Sequence, residues 1–427
     1  MSAKTMQVVI TKADLDAVVA RASLAAMSDE GQSEMQRASN ETRGCVRVAA
    51  AGGKITFESS VSRFSARHVV PAGGEVEIVS EGETCVPAKD LKIVASKVRS
   101  GRKVSITFIP SPPDPTLAVS PEAKAILPNG VVEVGSINGD RVVTKTKIEA
   151  YPTVGFSAPQ YPDESELTVL MSGKASAVRT ACGAVGFCIN PDDQKETYDK
   201  YAIFTAPDAI YFLGADGRRA AVVQAKAEAF DRIIGTDSKV PVLVDALFMT
   251  PIVASLSDDD PVTIAVDKDA QRLFIISGRT TYHVAMIAEK LRMKYPHYKR
   301  VVDLEAGMVM LVNREELAEA SDMLYVVNQD RGRHTICRDE KVVRVVSKGL
   351  TSIKEASGQV PCAFVGEGKM RAETISLATK YLVDGLKKMG SDNVRMSFTP
   401  DELRVKIEDE SDPKFTYYLQ VMSPNDV

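Results

Sequence analysis

Several absences narrow what this sequence can be. No apolar run in the 427 residues is long and unbroken enough to span a membrane. The opening residues Met1 to Met6 lack a charged-then-apolar signal segment, so the chain is expected in the cytoplasm. Six cysteines (Cys45, Cys85, Cys182, Cys188, Cys337, Cys362) are scattered without a C-x-x-C pair. In such a chain they read as reduced, small core residues. The four histidines are equally dispersed, so no clustered ligand set for zinc exists and neither metal nor cofactor is expected. No serine, histidine and carboxylate form a recognisable triad motif. Gly366-Glu367-Gly368-Lys369 lacks the spacing of a phosphate loop and reads as a turn. No catalytic residue is therefore assigned. A formal net charge of -4 excludes a uniformly basic coat but leaves room for a local basic face.

What is present is globular. Apolar content of 44% and charged content of 26% lie near the averages for folded domains. Aromatic-proline pairs stand at Tyr151-Pro152 and Tyr295-Pro296, each after alternating polar and apolar residues. Proline cannot continue a central strand, so each pair is read as the exit of a sheet. Cutting there gives three pieces, each about one domain in size. The expected domains are 1–163, 164–300 and 301–427.

The three pieces repeat one order of elements. Each opens with a strand (6–10, 167–171, 308–312) followed by an amphipathic helix (12–26, 173–185, 314–327). The apolar stripes are Leu15, Val18, Val19 and Ala22; Val178, Ala181, Cys182 and Val185; Leu317, Ala320, Met323 and Val327. Ser172 and Asn313 stand where an N-cap belongs. A strand-rich middle, a second helix (88–99, 242–256, 379–389) and an alternating strand (103–109, 261–266, 393–398) follow. A period this long is a repeated domain rather than a solenoid unit. The expected class is α+β, with two helices per repeat laid on one face of curved antiparallel sheet. Pro110-Ser111-Pro112-Pro113-Asp114-Pro115 reads as a stiff excursion, and Asp258-Asp259-Asp260 as a loop with solvated carboxylates.

Lys380-Tyr381-Leu382-Val383-Asp384-Gly385-Leu386, Asn393-Val394-Arg395-Met396, Ile407-Glu408-Asp409 and Tyr418-Leu419-Gln420-Val421-Met422-Ser423-Pro424 resemble stretches of the beta subunit of bacterial DNA polymerase III, the DNA sliding clamp family. Gly214-Ala215-Asp216-Gly217-Arg218-Arg219-Ala220 is similar to the family's A-T-D-G-H-R-L. Tyr295-Pro296-His297-Tyr298-Lys299-Arg300-Val301 is similar to its F-P-D-Y-R-R-V, and Val86-Pro87-Ala88-Lys89-Asp90-Leu91 to the start of a helix in its first domain. The polar stretch 28–43 marks the chain as divergent.

The resemblance implies three tandem clamp domains and a head-to-tail homodimer closing a ring, with helices inside and sheets outside. Such a ring encircles double-stranded DNA without regard to sequence. It tethers polymerase and clamp-loader subunits through short apolar peptides, and it is not an enzyme. A clamp-like interaction scaffold that does not load on DNA is the alternative, and an α+β enzyme with an unrecognised site is a third. A closed dimer with a positive pore separates the first two; a pocket of converging titratable groups would favour the last.

Sliding needs phosphate attraction without fixed contacts. In the helix over 88–99, Lys89, Lys92, Lys97 and Arg99 lie off the apolar stripe, opposed only by Asp90. Arg21, Lys174, Arg179, Lys380, Lys387 and Lys388 complete the expected DNA-facing set; the plain alternative is a solvated surface. The lining is unevenly basic, because 314–327 carries Glu315, Glu316, Glu319 and Asp322 while 242–256 has no Lys or Arg. Carried over from the family, the peptide groove comprises Lys195, Tyr198, Gly217, Arg218, Arg219, Ala220, Pro296, Arg300, Val301, Leu419, Val421 and Met422, against the plain alternative of hinge packing. Ala215 and Ala220 replace a threonine and a leucine of the family pattern, which implies a wider groove. The edge at 141–147, including Val143, is expected to meet Val326 and Val327 of a second copy.

Overall fold

In the computed structural model the described residues are 5–421, without 28–43, 62, 112–126, 154–155, 157–158, 191–197, 208, 227–229, 234–239, 268–271, 287–288, 328–331, 338–339, 349–354, 367, 369–373, 402 and 413. They form two compact units, Met1–Ser176 with Leu247–Met286, and Ala177–Ala246 with Ile287–Val427. The proline-rich excursion beyond Ser111 and the polar stretch 28–43 lie outside the described residues. All strand pairs described below are antiparallel.

The first unit begins with strand Met6–Thr11, whose alternate residues Met6, Val8 and Ile10 are fully buried. Period-two burial is what a strand with one covered face requires. Thr11 ends it by accepting the Asp14 N–H on its hydroxyl at 3.0 Å, which caps helix Lys12–Ala17. The expected continuous helix over 12–26 is broken: Val18–Ala22 is a π-helical turn, and Leu24–Met27 resumes the α-helix. Ser23 causes the change, its N–H reaching back five residues to the Val18 carbonyl at 3.1 Å while its hydroxyl donates to Val19 O. Strand Met6–Thr11 lies between Glu77–Ser80 and Lys103–Pro110, and Gly130–Asn138 and Arg141–Ala150 complete that sheet.

A second sheet in this unit runs in the order Leu167–Lys174, Pro261–Asp267, Arg272–Ser277, Thr280–Ala285, Phe64–Pro71, Lys54–Val61, Cys45–Ala51, Gly82–Pro87. Val8 and Phe108 of one sheet, Phe57 of the other, and Leu15 and Leu91 of the helices share one core. Helix Ala88–Lys97 buries Leu91 and Ala95, with Val94 and Val98 partly covered, as its stripe predicts. Burying one such side chain contributes about 2 kcal/mol. An exposed pair such as Lys174–Asp259 contributes little, because water screens it. Packing, not surface charge, therefore sets this unit.

Three local expectations change here. Ser172 is not a cap; it lies within Leu167–Lys174, its hydroxyl 3.0 Å from Thr263 Oγ1. Helix Ala175–Val185 starts later, and its first amides donate to the Asp260 carbonyl (Ala175, 2.8 Å) and the Asp258 carbonyl (Ser176, 3.1 Å). The loop backbone has taken the cap's role. The loop carboxylates are not simply solvated either, since Asp260 pairs with Arg21 at 2.6 Å and Asp259 with Lys174 at 2.8 Å.

One junction in the second sheet joins a strand of the first repeat to the last strand of the second. Residues 64–68 pair with 280–284. At each end a buried histidine faces a hydroxyl: His68 Nδ1 and Thr280 Oγ1 are 2.8 Å apart, and His283 Nδ1 and Ser65 Oγ 3.4 Å. Tyr161, from the connecting segment, donates to Ser65 Oγ at 3.0 Å and lies under Arg67, whose guanidinium is 3.9 Å from its ring centre.

The second unit is built on one long sheet, in the order Val242–Asp245, Lys200–Thr205, Ala209–Ala215, Arg219–Lys226, Phe415–Gln420, Arg404–Asp409, Asn393–Phe398, Met308–Asn313, Glu355–Val365, Val342–Lys348, Gly332–Cys337, Thr374–Leu377. Residues 219–223 pair with 415–419, again joining a repeat to the last strand of the next. Helix Arg314–Val327 forms where expected, and Asn313 caps it, its Oδ1 accepting the Glu316 N–H at 3.0 Å. Its buried stripe is Leu317, Ser321, Leu324 and Val327, whereas Met323 is 61% exposed. The expected helix over 242–256 divides, because 242–245 is a strand paired with 200–203 and helix Ala246–Ala254 follows. Helix Thr379–Leu386 is shorter than expected. Among the described residues five cysteines are buried and form no disulfide, and burial pushes the Cys45, Cys85 and Cys182 thiols up to about 12.

The paired histidines make the first unit acid-sensitive. Burial lowers His68 to about 4, opposed by Asp14 and assisted by Arg21 and Arg279. Burial likewise lowers His283 to about 4, with Arg272 assisting and Asp267 opposing. Above pH 6.5 both are neutral folded or unfolded, and below it the unfolded chain gains protons that the fold refuses. Stability is therefore lost as pH falls from 6.5 toward 4, by about 2 kcal/mol per histidine between pH 7 and pH 5. Urea midpoints at the two pH values should show this slope, and a His68→Gln, His283→Gln variant should flatten it.

Candidate partner groove and nucleic-acid face

Strands Ala209–Ala215 and Arg219–Lys226 are joined by a turn that Asp216 organises. Its Oδ1 accepts the N–H groups of Arg218 and Arg219 at 2.9 and 3.0 Å, the local carboxylate-to-backbone bond that favours Asp at turns. Gly217 has φ +89, and a Cβ there would stand 3.2 Å from the Tyr198 ring. Arg219 then turns inward. Its Nε donates to Asp216 Oδ2 at 2.8 Å and its Nη1 to Asp384 Oδ2 at 2.9 Å. The guanidinium lies 4.1 Å from the ring centre of Tyr381 and 5.5 Å from that of Phe187. Burial alone would lower its pKa, but Tyr417, Cys188, Asp384 and Asp216 outweigh that and raise it. This arginine stays charged and held from both ends.

Beside the turn lies the segment around Tyr295-Pro296. It does not close a strand as expected: Thr280–Ala285 has already ended, helix Glu289–Arg292 intervenes, and the Tyr295 N–H donates to Arg292 O at 3.1 Å. The Tyr295 hydroxyl donates to the Lys200 carbonyl at 3.2 Å. Tyr298 stacks on Tyr211 with ring centres 4.0 Å apart, and short helix Lys299–Val302 follows. Tyr295, Tyr298 and Val301 share a cluster with Ala202, Phe204, Leu213, Ala215 and Ala220. Beneath it Lys200 is fully buried, paired with Asp199 at 2.5 Å and Asp245 at 3.9 Å. That partner explains why 242–245 is a strand: it sets Asp245 opposite Lys200.

Known proteins share this architecture. No family model matches the chain. It is 23% identical over 362 residues to the beta sliding clamp of Synechocystis sp., covering 80% of this chain and 83% of that protein. It is 23% identical over 280 residues to the beta sliding clamp of Synechococcus elongatus, covering 63% and 70%. Among solved structures, the DNA polymerase sliding clamp of Caulobacter crescentus aligns over 98% of this chain and 100% of that one, with TM-score 0.72 at 14% identity. The DNA polymerase III beta subunit of Thermotoga maritima aligns over 98% and 99%, with TM-score 0.73 at 15% identity. The chain is similar in sequence to beta sliding clamps and has the fold of the DNA polymerase III beta subunit.

Within this clamp fold the expected groove residues separate by depth. Gly217, Arg218 and Arg300 are exposed, while Tyr198, Arg219, Pro296 and Val421 are half-buried. Ala220, Val301 and Leu419 are buried, so they form floor or core rather than open wall. Ala215 and Ala220 do not widen a groove, because they lie beneath the tyrosine cluster. Arg219 is committed to two carboxylates and is not a free rim cation. Lys195 and Met422 lie outside the described residues. Sequence reasoning did not assign Asp384, Tyr381 or Phe187 to this place, although Tyr381 and Asp384 stand in a quoted motif; nothing local links them to Arg219.

The expected DNA-facing residues also divide. Lys89, Lys92, Lys97, Arg99, Lys380, Lys387 and Lys388 are exposed, and Arg179 is half-buried. Arg21 and Lys174 are engaged by Asp260 and Asp259, so neither is a free cation. Of the expected contact residues, Val143 and Val326 are 58% and 62% exposed, but Val327 points inward at 7%. No helix among the described residues is long and apolar enough to cross a membrane.

The turn gives a direct test. Gly217→Ala should destabilise the protein by about 1–2 kcal/mol, since φ is positive and the new methyl crowds Tyr198. Urea unfolding at pH 7.5 measures it, and an unchanged midpoint would contradict the turn geometry.

Proposed function

We propose that this protein is a processivity clamp: a binding protein, not an enzyme, that closes as a head-to-tail homodimer around duplex DNA. In this reading 1–163, 164–300 and 301–427 are its three clamp domains. Polymerase and loader subunits dock by short apolar peptides at the Tyr198–Arg219–Pro296–Val421 region.

The observation carrying this reading is the repeated junction. Residues 64–68 take 280–284 as a neighbour, and 219–223 take 415–419. The same logic leaves one strand of each kind over. Among the described residues, Arg141–Ala150 pairs along its length only with Gly130–Asn138, and 141–147 is wholly exposed. In Glu355–Val365, residues 355–361 pair, among the described residues, only with Val342–Lys348. Unpaired edges recruit strands, and a contact between unlike edges closes a ring when the rotation permits. The edge at 141–147 of one copy therefore meets 355–361 of another. Val326 sits on the helix packed against that strand. Light scattering at micromolar concentration should give twice the mass of one chain; a strict monomer would overturn ring closure.

For DNA, support comes from Lys89, Lys92 and Lys97, all exposed on helix Ala88–Lys97. Changing all three to glutamate should weaken retention on circular DNA and flatten its salt dependence, with little change in thermal stability. Equal retention by both proteins would make this face merely solvated. The scaffold reading has one observation in its favour. Arg21 and Lys174 are neutralised within the fold, and helix Arg314–Val327 carries exposed Glu315 and Glu316. The same retention assay on the unmodified protein separates the two.

A further inference from the structure

We propose that the junction between 64–68 and 280–284 is a proton-gated seam, at which acid parts the two repeats that share the second sheet while each keeps its own strand pairs. The inference stands apart from the clamp reading.

On one side of the seam the sheet holds only 45–71 and 82–87, and on the other only residues from 167 onward. Five residue pairs cross it, and among the described residues no other strand pairing joins the two sides. Its middle is polar although it is buried. His68 and His283 are 3% and 9% exposed. Each sets Nδ1 against a hydroxyl of the opposite repeat, Thr280 at 2.8 Å and Ser65 at 3.4 Å. Each also has a buried Nε2 without a hydrogen-bond partner among the described residues. A buried polar atom in that state is costly, and a charged ring there costs far more.

The carboxylates facing the two rings are already engaged by arginines. On the His68 side, Arg21 holds Asp260 at 2.6 Å and Arg279 holds Asp14 at 3.1 Å, both pairs crossing from the first repeat to the second. A proton on His68 adds a third cation to these two acids. On the opposite face His283 stands near Arg272, which holds Asp267 at 2.8 Å. Arg67 shares that face, stacked on Tyr161, and Glu58 beside it is bonded to Arg47 at 2.9 Å. Against opening stand three rings: Phe64 stacks on Phe248 and on Tyr282 across the seam, with centres 4.8 and 6.3 Å away. They hold the seam closed while both histidines are neutral. The closed seam refuses protons that the open one accepts, so opening is favoured as pH falls from 6.5 toward 4. The junction of 219–223 with 415–419 contains no histidine and serves as a control within the same chain.

Hydrogen exchange resolved to single amides tests this on the full chain at pH 7.5 and 5.5, with times scaled for the intrinsic rate at each pH. The reporters are Val69 and Ala285, whose N–H groups donate across the seam to the Arg279 and Arg63 carbonyls at 3.0 and 2.8 Å. Their protection should fall by about tenfold per histidine, about a hundredfold together. Gln224 and Gln420, which donate to Lys414 and Arg218 at the second junction, should keep theirs, as should Ala72, bonded to Gly53 within the first repeat. In the His68→Gln, His283→Gln variant the selective loss should vanish, and in either single variant it should shrink to about tenfold. If the double variant does not fold, the single variants and the two-junction comparison in the unmodified chain decide. Equal loss at both junctions, loss shared by Ala72, no loss at the seam, or a loss undiminished in the glutamine variants would each overturn the proposal.

Discussion

Main-chain N–H and C=O groups along a strand edge must find partners, and in both units a repeat meets that demand by taking a strand from the next repeat. The two junctions have the same span but different chemistry. In the first, histidine–hydroxyl pairs stand at either end, on opposite faces as strand alternation dictates. In the second the facing pairs are Ala220 with Tyr418 and Val222 with Thr416, and no histidine enters. One fold rule is thus met by a polar, proton-sensitive junction and by an apolar one. The segment leading out of the second repeat then has a fixed surface to pack on, and its tyrosines fill it.

Elements whose signals are local were legible from the sequence. Arg314–Val327 combines a side-chain cap at Asn313 with helical periodicity, and Asn393–Phe398 alternates cleanly. Where a distant partner decides, local reasoning failed. The run Val242-Leu243-Val244-Asp245 suits either a helix start or a strand, and the strand wins because it pairs with 200–203. Ser172 has cap chemistry, yet loop carbonyls reach the first amides of the helix. The stripe of the third repeat was misread through phase: positions three and four apart both suit a helix, and burial chose Leu324 over Met323.

The site was legible in its members and not in their depth. Asp216, Gly217 and Arg219 sit within one turn, so their proximity needs no fold. Asp384 lies 165 positions from Arg219, and only the fold brings it there. Small residues at 215 and 220 suggested space, because substituting a small side chain removes volume at its own position. The space belongs to neighbours, however, and here Tyr295 and Tyr298 occupy it. Charge was misjudged for the same reason: a cation read from sequence is a count, whereas the available cation is what remains after internal pairing. Arg219, Arg21 and Lys174 all drop out of that remainder.

In the proposed reading, affinity and selectivity come from different depths of one surface. A buried apolar anchor is typically worth 2 kcal/mol or more at a protein interface, roughly, and is insensitive to salt. An exposed charge pair is worth about 1 kcal/mol at most and fades with ionic strength. A floor already consolidated by Tyr295, Tyr298 and Val301 cannot reshape itself for each partner, so it offers similar anchors similar energy. Discrimination among partners that share an anchor must therefore come from the rim, where small energies still change occupancy severalfold. In the proposed reading that division suits partners that exchange: the floor would retain any of them, and the rim would order them without making any one permanent.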